Sequence, residues 1–407
     1  MTIETSVIIP VLDQWTLTEA CLRSLAAHSP DTIEVIVIDN GSRDETPQTC
    51  PVLGNELFPH RFSFLRQETN LNFGPASNLG ARRARGAFLF FLNNDTQVRP
   101  NWLPPLRNSL ANPKIGAAGP CLLYPNGRVQ HVGIAFTPGL TPCHLFENFP
   151  GDHPAVRRKR RCQAITAAAL LLPKQLFADI GGFFEEFRNG SEDLDLCARI
   201  RARGLQLIVN PDSVVIHRTS QSAGRFDHDD ANAALLRSRQ AQAFVPDLHL
   251  FARQAGYRLQ LTPWLTPFLE PIHQIRPSQK TPTTEEGVKQ RLTVEPLWRE
   301  GYDLLVAMSQ ARDNHALALE SMFLRSFFFP DIEHHRQLQQ FAHRLGKQGM
   351  AMDTTRTIQR IENTLSDRQR LVETARTLAT HFRNEGNQEC HALYQEWTKK
   401  YDLSSNL

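Results

Sequence analysis

Three short apolar runs, two of them stopping at an aspartate or asparagine turn, constrain this chain more than any other feature. Ser6–Pro10, Glu34–Ile38 and Ala87–Leu92 run on without alternating, as strands buried on both faces do. Between them, Thr16–His28 and Gly74–Arg85 carry helical spacing. Leu17, Ala20, Cys21, Ser24 and Leu25 share a face in the first, and Gly86 is expected to stop the second. Strands and helices alternating in this way build a sheet, largely parallel, with helices on both faces.

At 407 residues the chain suits two or three domains. The expected division is an α/β sheet domain over 1–256, a proline-rich linker or clamp over 257–296, and an all-α region over 297–407. Pro263, Pro267, Pro271, Pro277, Pro282 and Pro296 exclude a long helix or central strand from the middle stretch. Beyond it, Leu304, Ala307, Met308 and Ala311 are expected on one helix face. Leu304, Leu338 and Leu371 open three similar stretches. With Tyr302, Leu305, Ala318 and Pro330, this period resembles a short tetratricopeptide array of helical hairpins; a plain bundle is the alternative.

Hydrophobic residues make up 41% and charged residues 21%, which excludes a disordered chain or a membrane bundle. No apolar run approaches the roughly 18–20 residues of a membrane span, and MTIETSVIIP is read as no signal peptide. A net charge of +3 implies no nucleic-acid partner. Seven cysteines without a CxxC pair argue against a disulfide framework and for a reducing cytoplasm. Arg157–Arg161 is either a solvated loop or an attachment to anionic lipid or a phosphorylated acceptor, the lipid reading placing the protein against the inner membrane face.

Four segments carry candidate chemistry. Glu34–Ile38 ends in Asp39-Asn40-Gly41-Ser42 with Asp44 beyond. Ligands of open α/β sheets sit past such carboxyl ends, although these residues also suit a turn in which Ser42 or Asp44 caps a helix. Ala87–Leu92 ends in Asn93-Asn94-Asp95-Thr96, hard oxygen donors suited to Mg²⁺ or Mn²⁺ on a diphosphate, or an Asx turn. Ser191-Glu192-Asp193-Leu194-Asp195 reads as a Ser-capped helix start with acids favoured by the macrodipole, or as the seat of a general base. His217 ends the strand Ser213–Ile216 before a small-residue loop, Arg218–Arg225, suitable as a flap over anionic groups.

In order, SVIIPVLDQWTLTEACLRSL, EVIVIDNGSRDET, NLNFGPASNLGARRARGAFLFFLNNDTQV, AAALLLPKQLFADIGGF, GSEDLDLCARIRARG and VVIHRTSQSAG resemble a family 2 glycosyltransferase of the GT-A fold, near the rhamnosyltransferase-like branch. The resemblance covers about residues 5–225 and implies a hexosyl- or deoxyhexosyltransferase inverting at the sugar. Pro10, Val11 and Asp39 would then line the base and ribose of a nucleotide-sugar, and Asn72, Gly74 and Asn78 would approach its far side. Asn94 and Asp95 would stand in the metal motif, with His217 a further contact to the Mg²⁺ or Mn²⁺ or to the diphosphate. Asp193 would be the catalytic base, and Glu192 would bind the acceptor or orient the base. The acceptor would be a hydroxyl on a polysaccharide, a lipid-linked glycan or a protein glycan. Asn93 replaces the first aspartate of the metal motif, and Phe184 stands where related chains carry aspartate after Gly-Gly-Phe. The alternatives are a non-catalytic GT-A scaffold whose C-terminal helices bind a protein partner, and nucleotidyl transfer on a similar sheet.

Overall fold

The computed structural model describes residues 2–218, 228–273 and 281–401. The chain divides into two compact units, one of Met1–Phe136 and Pro142–Val245, the other of Thr137–Thr141 and Pro246–Leu407. In the first unit β1 (Thr5–Val11), α1 (Trp15–His28), β2 (Ile33–Asp39), α2 (Thr46–Leu57), β3 (Phe62–Arg66), α3 (Phe73–Arg83) and β4 (Phe88–Leu92) alternate. There follow β5 (Thr96–Val98), α4 (Leu103–Leu110), β6 (Ile115–Leu123), β7 (Val129–His131), β8 (Ile134–Phe136), β9 (Pro142–His144) and β10 (Arg160–Cys162). Then come β11 (Ala169–Pro173), α5 (Lys174–Asp179), α6 (Glu192–Ala202), β12 (Gln206–His217) and α7 (Asp229–Gln240). Ten strands form one mixed sheet in the order β10-β12-β6-β11-β4-β1-β2-β3, with β5 paired to β12 and β7 to β6. A mixed sheet flanked by helices is the fold class expected for this unit.

Parallel pairing of β1 with β2 and β4 buries both faces of these strands, and Val7, Ile9, Val35, Val37 and Phe90 are sealed from solvent. Glu34 sits within an otherwise apolar strand because its carboxylate is fully used. Ser6 Oγ and the Arg85 backbone N–H both donate to Oε1 at 2.6 Å, and Arg85 Nε donates to Oε2 at 2.6 Å. The face of α1 is rotated from the expected one: Trp15, Thr18, Cys21, Leu22 and Leu25 are buried, while Leu17, Ala20 and Ser24 lie at its margin. Gly86 does not cap α3, which ends at Arg83. A Cβ there would stand 2.8 Å from Ser6 N, so close approach to β1 selects glycine.

The division falls at Val245, not at 256, and 257–296 is no mere linker. The second unit opens with α8 (Leu248–Gln254), β13 (Tyr257–Leu261), β14 (Pro267–Pro271), α9 (Glu285–Val294), α10 (Arg299–Gln310) and α11 (His315–Phe328). It ends with α12 (Ile332–Arg344), α13 (Gln348–Ser366), α14 (Arg368–Asn384) and α15 (Gln388–Tyr401). β13 and β14 form a two-stranded antiparallel hairpin, in which Pro267 and Pro271 occupy strand ends that tolerate a missing N–H. Trp397 Nε1 donates to Thr262 O at 2.8 Å and fastens the hairpin to α15.

The rest is a series of helical hairpins. Each of three turns places a left-handed residue, Asp313, Gly346 or Gly386, just before an N–H that reaches back to the carbonyl of Ser309, Ala342 or Phe382 at 2.9 Å. The third turn falls later than an even period requires because α13 has 19 residues where α11 has 14. On α10 the buried residues are Tyr302, Leu305, Val306 and Ser309; Ala307 and Ala311 are exposed, which corrects the expected face. Tyr302 sets the rotation, being sealed from solvent with its hydroxyl donating to Pro296 O at 2.9 Å.

Two substitutions test this packing. A Cβ on Gly80 of α3 would lie 2.5 Å from Ile8 Cγ2 and 2.7 Å from Ile38 Cδ1. Gly80→Ala is therefore expected to cost about 1–3 kcal/mol in urea denaturation, despite the better helix propensity of alanine. Asp195 on α6 is fully buried and accepts from Arg199, Arg239 and Gln240 of α6 and α7 at 2.8–3.0 Å. Burial alone would raise its pKa, but these donors outweigh burial and hold it below the usual carboxylate range. Its stabilisation is complete above the unfolded value of about 3.9 and is lost as pH falls through the lower folded one. Asp195→Ala should cost about 3 kcal/mol near neutrality, since it strands two arginines, and should flatten the loss of stability in acid followed by circular dichroism.

Candidate active site

The carboxyl ends of β1, β2 and β4 lie along one edge, in a register that sets Val11 opposite Asp39. Past Val11 the chain turns through Asp13 and Gln14, both left-handed at φ of 55° and 61°. The turn is held by Asp13 N donating to Ser42 Oγ at 2.7 Å, Arg43 N to Asp13 Oδ1 at 2.6 Å and Trp15 N to Asp44 Oδ2 at 2.9 Å. Ser42 and Asp44 thus staple two strand-end loops together, and Ser42 caps no helix. Asp39 is sealed from solvent. Its Oδ1 accepts from Ser42 N at 2.9 Å and its Oδ2 from Arg66 at 3.2 Å, a partner the sequence reading missed on β3. Pro10 and Val11 end β1 beside it, Val11 in register with Asp39, and Asn40 Oδ1 is buried with no donor among the described residues.

Helix α3 carries the next three candidates. Asn72 enters it at φ 67°, Gly74 is buried with a Cβ position 3.4 Å from Phe183, and Asn78 lies within. Both amide hydrogens of Asn78 are spent at 2.9 Å on Phe183 O and Glu185 Oε1, while its Oδ1 accepts from Phe183 N at 2.9 Å. Asn78 therefore fastens the Gly-Gly-Phe loop to α3. Phe73 N donates to Asn189 Oδ1 at 3.1 Å, which ties the start of α3 to the segment just before α6.

At the end of β4, Asn93 N donates to Ala168 O at 3.0 Å and Asn94 Nδ2 to Thr18 Oγ1 at 3.0 Å. β5 then pairs antiparallel with the end of β12, setting Thr96 against His217. This brings His217 Nε2 to 3.0 Å from Asp95 Oδ1, with Asn93 Nδ2 at 3.4 Å from the same nitrogen. On its other side, His217 Nδ1 meets Gln130 Oε1 at 2.7 Å. Asp95 Oδ1 is buried and receives no hydrogen bond. A carboxylate oxygen and an imidazole nitrogen 3.0 Å apart on largely buried side chains, with no hydrogen bond between them, are suited to sharing a cation. The pair fits a divalent ion as two of its ligands, although no group of three or more His, Cys, Asp or Glu residues gathers for one among the described residues. Burial pushes the neighbouring Cys21 thiol up to about 12, so it stays protonated at neutral pH.

Ser191 precedes α6 in a left-handed conformation, φ 70°, and its side chain caps nothing, contrary to expectation. Glu192 is buried and folds back to accept from Gly190 N at 2.6 Å. Asp193 is half-buried; its Oδ1 accepts from Leu194 N at 2.8 Å and its Oδ2 from Ala167 N at 3.3 Å. Since Ala168 O accepts from Asn93 N, the short run Ala167–Ala168 joins the acidic helix start to the Asn93–Asp95 turn. Asp195, by contrast, belongs to the buried ion-pair network.

Phe184, in the place of an aspartate, lies under the Arg239 guanidinium at 3.4 Å from the ring centroid, a cation–π contact beside the Asp195 network. The basic run Arg157–Arg161 is partly built in. Arg157 donates to Pro211 O at 2.7 Å, Arg160 to the carbonyls of Val132, Ala155 and Val156, and Lys159 and Arg161 are exposed. Of the expected flap, Arg218–Arg225, all but Arg218 lies outside the described residues.

The family model for "Glycosyl transferase family 2" matches residues 6–141. The chain is 30% identical over 277 residues to the O-antigen biosynthesis protein RfbC of Myxococcus xanthus, covering 66% of this chain and 20% of that protein. It is 26% identical over 255 residues to an N-acetylglucosaminyl-diphospho-decaprenol L-rhamnosyltransferase of Mycobacterium tuberculosis, covering 57% of this chain and 80% of that enzyme. The structure of GalNAc-T7 with UDP, GalNAc and Mn²⁺ superposes with a TM-score of 0.46 at 18% identity, over 53% of this chain and 43% of that one. The chain thus spans about a fifth of the O-antigen relative. Residues 6–141 thus match the domain of glycosyl transferase family 2, and the acidic helix start at Glu192 and the His217 end of β12 follow it in the same unit.

Proposed function

We propose that the protein is an inverting glycosyltransferase that moves a hexosyl or deoxyhexosyl group from a nucleoside diphosphate to an acceptor hydroxyl. The observation that carries this reading is the Ala167–Ala168 bridge, which ties Asp193 on one side and Asn93 on the other into a single frame. The base and ribose of the donor lie over Pro10, Val11 and Asp39, with Arg66 holding the Asp39 carboxylate in place. Asn72 and Gly74 bound the far side, and Asn78 keeps the Gly-Gly-Phe loop against it.

Asp193 takes the proton of the acceptor hydroxyl. The acceptor oxygen then bonds to the anomeric carbon while the bond from that carbon to the diphosphate breaks on the opposite face, which inverts the centre. Two backbone N–H donors fix the direction of the Asp193 carboxylate, and Glu192 braces the loop before it. Asp95 and His217 would hold Mg²⁺ or Mn²⁺, which when bound supplies Lewis-acid stabilisation of charge on the leaving diphosphate. The names of the relatives favour a bacterial surface glycan or its lipid-linked precursor as acceptor. Among the described residues no helix is long and apolar enough to cross a membrane, and no disulfide joins any of the seven cysteines. We place the reaction in the cytoplasm, at the inner membrane face where such a precursor would be met. In the second unit, a groove lined by Gln339, His343, Arg344 and Met352 supports contact with a protein partner.

Asp193→Asn should lower release of nucleoside diphosphate by about 10²–10⁴-fold, while the donor found by thermal-shift screening of nucleotide-sugars binds as in wild type. Turnover retained within tenfold would exclude Asp193 as the base. Removal of divalent ions with a chelator should abolish turnover, and Mn²⁺ or Mg²⁺ should restore it. Turnover indifferent to chelator would leave Asp95 and His217 without a metal to hold.

A further inference from the structure

Gln130 lies outside every motif of the sequence analysis, on β7 at the flank of the sheet, with only 5% of its surface exposed. Its Oε1 stands 2.7 Å from His217 Nδ1. A carboxamide oxygen only accepts, so this contact needs a proton on Nδ1. A neutral imidazole carries one N–H, which leaves Nε2 unprotonated 3.0 Å from Asp95 Oδ1. Asn93 Nδ2, a group that only donates, lies 3.4 Å from the same nitrogen and agrees with that tautomer. His131, next along β7, is engaged elsewhere, its Nδ1 2.8 Å from His144 Nδ1.

We propose that Gln130 is a positioning residue for the transfer reaction: it holds His217 in the Nδ1–H tautomer and so keeps Nε2 unprotonated beside the Asp95 carboxylate, preparing the pair to receive a divalent cation. The proposal rests on the reading of Asp95 and His217 as metal-holding residues. An imidazole that binds a cation through one nitrogen has the other protonated and hydrogen-bonded, and loss of that outer partner typically weakens metal binding about 10–100-fold. Gln130 supplies the partner from a strand that pairs with β6, so ring orientation is set by the sheet and not by the mobility of a loop.

The test uses the full chain as wild type, Gln130→Leu, which keeps the volume without the acceptor, and Gln130→Glu, which keeps the acceptor. Thermal denaturation establishes that each folds, and Gln130→Met replaces the leucine variant if it does not. Nitrogen-15 NMR of the histidine rings without metal, in mildly alkaline buffer, should show His217 protonated at Nδ1 in wild type and Gln130→Glu, and no longer held so in Gln130→Leu. Calorimetry with Mn²⁺ alone should show affinity about 10–100-fold weaker in Gln130→Leu and within a few-fold of wild type in Gln130→Glu. A purely structural glutamine predicts the reverse order, because a buried carboxylate is harder to accommodate than leucine. A wild-type ring protonated at Nε2, as a reversed Gln130 amide would impose, overturns the proposal, and so does equal Mn²⁺ affinity in wild type and Gln130→Leu. If Mn²⁺ binds neither wild type nor Asp95→Ala, or both alike, the metal reading falls, and the ring state in the two Gln130 proteins still decides the role of Gln130.

Discussion

The antiparallel pairing of the three-residue strand β5 with the end of β12 is the contact on which the candidate site depends. It carries His217 across the chain to Asp95 and leaves a carboxylate oxygen and a ring nitrogen 3.0 Å apart on largely buried side chains. The same β12 runs parallel to β6, whose neighbour β7 brings Gln130 to the other side of the ring. Three sheet pairings thus fix one imidazole. A strand positions a ring more closely than a loop does, because each ladder hydrogen bond removes a degree of freedom the loop would keep.

Around this fixed point the loops hold unfavourable backbone. Asp13, Gln14, Asn72 and Ser191 are left-handed without being glycine, a conformation that costs roughly 1–2 kcal/mol each. All four flank proposed ligand contacts. Each stands beside a side chain that bonds to backbone: Ser42 and Asp44 for the first pair, Asn70 for Asn72 and Glu192 for Ser191. The polar side chains crowding the strand ends therefore do two jobs, and most of their hydrogen-bonding capacity goes to holding loops. Asn78 and Asp195 are the extreme cases, read from sequence as a ligand contact and a member of an acidic triplet, and found spent on Phe183 and on two arginines.

How far the sequence was legible followed the length of the pattern behind each reading. Buried parallel strands announce themselves in consecutive residues, so β1, β2 and β4 were expected within two residues of where they lie. Helix faces were misphased on α1 and α10, because alanine, serine and leucine at the edge of a helix weigh alike in a pattern, whereas Thr18 is buried where it accepts from Asn94 and Ser309 where it bonds to its own helix. The proline-rich stretch hid a hairpin and helix α9, since proline at strand ends signals interruption in sequence and fits an exposed edge in three dimensions. Arg66, Asn189 and Gln130 left no local signal, each being a single polar residue, two on ordinary strands and one in a loop.

By itself the sequence determined the chemistry at hand: which strand ends carry carboxylates and amides, which helix begins with acids, and that no buried charge run or cysteine lattice competes with a packed sheet. These follow from residue type and short spacing, both local. Tertiary structure alone decided which of those groups meet. Asp193 and Asn93 join through Ala167–Ala168, His217 reaches Asp95 through β5, and Asp195 is withdrawn into an ion-pair network. Pairing between distant strands is set by the summed burial of the whole sheet and not by any window of the chain, so the identity of the candidate residues was written locally and their arrangement was not.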